Sequence, residues 1–140
     1  MSFQFSVAAR NAWLDAIETA IGASAILKIR TGAVPATCAT ADAGTVLATM
    51  ALPSDWMAAA SAGAKALAGT WQDTAADATG TAAHFRIYAS DGVTCHMQGT
   101  VSQSAADGGT GDLKLAQATA DLVAGVQISI STFTLTANGA

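Results

Sequence analysis

This sequence is short of charge. Asp, Glu, Lys and Arg make up 11% of its 140 residues, against 51% hydrophobic residues; the charged share is roughly half the usual one. The six cations (Arg10, Lys28, Arg30, Lys65, Arg86 and Lys114) are scattered, and ten acidic residues leave a net charge of −4. No basic run exists for a nucleic-acid groove or an anionic bilayer, so neither partner is expected. Long apolar runs are missing too, because Ala, Thr and Gly dilute each one, and no membrane span is expected. The opening MSFQFSVAARNAW has no basic region followed by an apolar block, so no signal peptide is expected. The two cysteines, Cys38 and Cys95, stand far apart with no C-x-x-C or H-E-x-x-H, which leaves no zinc spacing. In a chain made in reducing cytosol both are expected to remain thiols. Aromatic residues are 6% of the chain, so the core is expected to lean on Trp13, Trp56, Trp71, Phe85 and Phe133. A surface of Ala, Thr, Ser and Gly fits either a small alanine-rich domain or a subunit covered by neighbours, since interfaces are depleted in charge.

What is present reads as one domain, 7–140, behind a short N-terminal arm, 1–6. In SFQF, Phe3 and Phe5 alternate in the β sense, as in an arm that could pair with a neighbouring sheet. Ser6 is placed to cap a helix over Val7–Ile21, with Leu14, Ile17 and Ile21 on its apolar stripe and Gly22 as the stop. Asp15 and Glu18 are expected to be solvated on its polar side. Strands follow at about Ala25–Thr31 and Val46–Leu52, separated by the loop AVPATCATADAG. Residues 53–70 are read as a turn near Trp56 and a weak strand through Ala64–Ala68. A short strand is expected at Asp112–Leu115. In VQISISTFTLT the apolar phase changes, which predicts a bulge near Ser131-Thr132. One helix and six or seven strands, with no βαβ alternation, predict a mainly β fold: an antiparallel β-sandwich or jelly-roll-like domain.

Thr81–Val101 reads as a hairpin. A three-residue loop, Ser90-Asp91-Gly92 with Gly92 left-handed, sorts its side chains cleanly. Phe85, Ile87, Val93, Cys95, Met97 and Val101 take one face. His84, Arg86, Tyr88, Thr94, His96, Gln98 and Thr100 take the other, with Arg86 opposite His96. This register separates Cys95 from the histidines and leaves a polar outer patch as a surface for contact.

Chemistry is hard to assemble from these residues. No G-x-S-x-G occurs, and GGTG lacks the lysine ending of a phosphate loop. Asp73, Asp77, Asp107 and Asp112 lack the alternating oxygens of a calcium loop. No base, nucleophile and orienting group converge. The expectation is a non-enzymatic protein without catalytic, metal or cofactor residues.

Three blocks, RNAWLDAIETAIGASAILKIRTGAVPATC, HFRIYASDGVTCHMQGTVS and GVQISISTFTLTANGA, resemble small structural proteins of tailed bacteriophages and prophages. The resemblance implies a virion component made in the host cytoplasm: a head decoration (cement) protein bound to the major capsid protein, or a tail- or neck-associated subunit. It also implies a homo-oligomer, with a trimer favoured. A carbohydrate- or receptor-binding module, using exposed Trp56 or Trp71, is the alternative. The residues expected to make subunit contacts are Phe3, Phe5, His84, Arg86, Tyr88 and His96.

Overall fold

Ser6 starts the helix as its type predicts: its Oγ accepts the N–H of Ala9 at 3.2 Å, satisfying one of the first-turn donors. Helix α1 spans Val7–Ile21, and the Gly22 N–H closes it on the Glu18 carbonyl. The computed structural model describes residues 3–139, so Met1, Ser2 and Ala140 at the outer ends of the expected arm and domain lie outside the described residues.

Ten strands follow: β1 (Ile26–Arg30), β2 (Val46–Ala51), β3 (Ala64–Ala66), β4 (Gln72–Asp73), β5 (Gly80–Thr81), β6 (His84–Tyr88), β7 (Cys95–Ser102), β8 (Leu113–Leu115), β9 (Asp121–Leu122) and β10 (Ile128–Thr136). Three of them are only two residues long, which is why alternation over longer windows counts fewer. Seven lie in the order β2-β1-β6-β7-β8-β10-β3, β4 also pairs with β10, and β5 pairs with β9 alone. The fold is the mainly β, sandwich-like one expected, with the sheet curled into a half-barrel. One pair departs from the antiparallel pattern: β8 runs parallel to β7, with Val101 beside Leu113. The expected break in β10 is present as a register shift between Ile130 and Thr132.

The concave side of the sheet holds the core. Trp56, Trp71, Phe133 and Phe85 form a chain of ring contacts, with centroids 5.8, 5.4 and 5.7 Å apart. The indole N–H of Trp56 donates to the Gly22 carbonyl, and that of Trp71 to the carbonyls of Trp56 and Ala68. The irregular 53–70 segment is thus pinned by two buried tryptophans whose polar atoms are satisfied. Trp13 is a correction to the expected core: it is 56% exposed. Leu14 and Ile21 supply the buried side of α1 instead.

The polar side of α1 is not solvated as expected. Asn11, Asp15 and Glu18 accept the N–H groups of Gly63, Ala60 and Met57 at 2.9–3.0 Å. Asp15 and Glu18 also hold the buried Lys65 ammonium at 2.7 and 2.9 Å. What α1 leaves outside is therefore its alanine side: Ala8, Ala9, Ala12, Trp13, Ala16, Thr19 and Ala20 are exposed, and none is charged.

Candidate functional site

The hairpin keeps most of its expected sorting but not its register. Gly92 is left-handed, with φ 67°, as expected. The loop is longer, however: the Ala89 N–H donates to the Thr94 carbonyl, enclosing residues 90–93. Tyr88 then pairs with Cys95, and a bulge places Ile87 opposite Met97 and Arg86 opposite Gln98. Arg86 does not face His96. The bulge absorbs one residue, so Phe85, Ile87, Met97 and Val101 still share the inner side while Cys95 turns to the outer one. Asp91 braces the loop, accepting from the Val93 and Thr94 N–H groups and from Thr94 Oγ1. These three bonds lower its carboxyl to about 2.

The outer face is not a free surface. His84, Arg86 and Tyr88 are 0%, 2% and 0% exposed, which withdraws them as subunit contacts on the isolated chain. The physical reason is the 32–45 loop, which folds across β1 and β6. Lys28 and Arg86 are direct cross-strand partners, and Arg30 sits two pairs further along, on the same face, opposite His84. Like charges side by side on a sheet need a counter-charge, and Asp42 in the loop provides it. Its Oδ1 accepts from Arg86 Nη1 and from the Tyr88 hydroxyl, both at 2.7 Å, and its Oδ2 from Arg30 at 2.8 Å. Arg86 also donates to the carbonyls of Thr37 and Thr40 and to Gln98 Oε1. All five guanidinium donors are thereby engaged. Burial pushes the Asp42 carboxyl up, but the hydrogen bonds from Tyr88 and Arg86 and the charges of Arg30 and Arg86 outweigh it, so the group sits below its ordinary value. His84 Nδ1 lies 2.8 Å from the Gly32 carbonyl, and its Nε2 is buried without a partner. Cys38 and Cys95 are free thiols. Burial, then the neighbouring Cys38, pushes Cys95 up to about 12. Of the four hairpin residues expected to make contacts, His96 alone remains exposed, beside Thr94 and Thr100 of the same face.

The network holds the loop over the sheet: the two arginines are buried beneath it, while the Asp42 side chain that joins them is 38% exposed. One sequence signal pointed to it: a lone Asp in a loop of small residues that follows the strand carrying Lys28 and Arg30. Other acidic residues do similar bracing. Asp73 and Asp77 both accept from Thr49, and Asp112 accepts from Thr100. Among the described residues no group of three or more His, Cys, Asp or Glu is placed to share a metal ion.

Two surfaces remain open. One is the arm, with Phe3 89% and Phe5 52% exposed, continuing into Val7, Trp13 and the alanine face of α1. The other is a cavity of about 300 Å³ bounded by Phe85, Met97, Asp112, Phe133, Leu135 and Thr136. Trp56 and Trp71 are buried at 0% and 1% exposure, which counts against sugar stacking on either. No protein-family model, curated protein or solved structure matches the chain. No described helix is long and apolar enough to cross a membrane.

Proposed function

We propose that the chain is a non-enzymatic structural subunit of a phage virion, a decoration (cement) protein that stabilises the head lattice by binding the major capsid protein. The observation that carries this reading is the uncharged, exposed surface made by Phe3, Phe5, Val7, Trp13 and the outer alanines of α1. Large apolar side chains left in water on a surface with few charges mark a protein contact. The ionic groups that could have served chemistry are spent internally: Asp42 on Arg30 and Arg86, Asp15 and Glu18 on Lys65. A cement protein acts by mass action, stabilising the assembled shell because it binds that state and not the dissociated subunits. Symmetric repetition multiplies weak contacts per copy.

The test is cryo-EM of purified particles, with the intact chain and with Phe3–Phe5 deleted. Density for the intact chain on the head shell, with occupancy reduced by the deletion, is the expected result. Location on tail or neck, or absence from particles, would overturn the cement assignment. Normal occupancy without Phe3–Phe5 would remove the arm from it.

A further inference from the structure

The cavity beside Phe133 is a missing strand. At Leu113 the sheet is complete, because this residue of β8 pairs with Val101 of β7 on one side and Phe133 of β10 on the other. One residue earlier β8 ends: the Asp112 side chain turns back to cap the Thr100 N–H at 2.9 Å. Beyond that point β7 continues backward through Gly99, Gln98 and Met97, paired only with β6. Strand β10 continues forward through Thr134–Thr136, paired only with β3. The hydrogen-bond phase is set by three neighbours: the Val101 N–H goes to Ala83 on the β6 side, while the Phe133 carbonyl and the Ala137 N–H go to Leu67 and Gly63 on the β3 side. By alternation, the backbone groups of Gln98 and those of Thr134 and Thr136 point into the gap from its two walls. The gap is one strand wide, since β8 fills the same row. Its floor is apolar, made by Phe85, Met97, Phe133 and Leu135.

We propose that this slot is the acceptor for the N-terminal arm of a second copy, with Phe3–Phe5 inserted as a strand between β7 and β10. An occupant must offer backbone to both walls, alternate apolar and polar side chains, and bring no negative charge beside Asp112. Phe3-Gln4-Phe5 meets each requirement once the Phe5 N–H exchanges the Gly139 carbonyl of its own chain for a wall of the slot: both rings can face the floor while Gln4 faces outward with Gln98 and Thr134. A chain's own arm is on the wrong side. Its helix packs against Gly63 and Lys65 of the β3 region, Arg10 reaches the Ala137 carbonyl, and the Phe5 N–H is tied to the Gly139 carbonyl. To enter the slot it must cross β10, and Phe3 is left in solvent instead. Arm and slot are unlike surfaces, so the contact closes as a reciprocal pair or propagates around a ring. It also covers two bare strand edges that would otherwise invite aggregation. The inference concerns the purified chain and stands whether or not the protein belongs to a virion.

Sedimentation equilibrium of the full chain, alone and as two variants, tests it. Phe3→Ser/Phe5→Ser removes the donor; Leu135→Arg fills the acceptor. The full chain is expected to associate reversibly. Each variant alone is expected to bind itself at least about a hundredfold more weakly, from loss of ring burial. Mixing the two variants restores a one-to-one complex, because one still has an arm and the other a slot; that recovery also shows both are folded. A full chain that stays monomeric, association unaffected by loss of both rings, or variants that associate with the full chain but not with each other, would each overturn the proposal.

Discussion

Asp42 shows how much one side chain does here. It is the anionic partner of both Arg30 and Arg86, whose side chains are 8% and 2% exposed, and it anchors the loop that buries them. Removing one member of such a group leaves charge stranded in a poorly solvated place. Asp42→Ala is expected to lower stability by about 3 kcal/mol, measured by urea denaturation, whereas Asp107→Ala on an exposed turn should change it by less than about 0.5 kcal/mol. The pH dependence follows from the direction of the shift. The folded Asp42 carboxyl lies below its ordinary value of 3.8, so its contribution is complete above that pH and disappears as pH falls through the lower folded value. Asp91 behaves in the same sense and titrates at about 2. A ¹³C carboxyl NMR titration is expected to show its midpoint near there, and the hairpin loop keeps its brace at pH 4. A midpoint at 3.8 would mean that Thr94 does not hold it. The sequence shows Asp42 as one acid in a loop of small residues; that it meets two arginines depends on where the loop lies.

Helix α1 illustrates an element whose limits are local and whose orientation is not. Ser6, Gly22 and the apolar stripe set its length without help from the rest of the chain. Its two hydrophilic neighbours, Asp15 and Glu18, look like a solvent face because nothing nearby in sequence needs them. Lys65 does, from some fifty residues away. Burial pushes the Lys65 ammonium down, but its hydrogen bonds and ion pairs with Asp15 and Glu18 raise it overall, so it stays charged. Asp15→Ala/Glu18→Ala is expected to lower the melting temperature by leaving the buried Lys65 charge alone, and Lys65→Met to lower it much less because the volume stays filled. Equal losses in thermal melts of the two variants would contradict this asymmetry. The hairpin makes the same point for strands: a one-residue bulge moved Cys95 across the sheet while its neighbours kept their sides.

For the whole molecule, charge spent internally and apolar groups left outside belong together. With 11% charged residues, tying Asp15, Glu18 and Asp42 to buried cations leaves the arm, the outer face of α1 and the slot as uncharged or nearly uncharged surface. The association we propose would depend on buried area and strand pairing rather than on steering by charge, as suits assembly on a repeating lattice. The sequence by itself determined the fold class, α1 with both caps, the main strands, the bulge in β10 and the exposed pair Phe3 and Phe5. These follow from periodicity, turn chemistry and the absence of competing partners within a few residues. Only the tertiary structure decided that His84, Arg86 and Tyr88 are covered, that Trp13 is exposed, and that β8 stops short of filling its row. Each of these depends on which distant segment arrives: the 32–45 loop over the hairpin, the 57–65 segment against α1, and Asp112 turning back onto Thr100. Burial and strand pairing are settled between segments far apart in the chain, and local pattern carries no record of that choice.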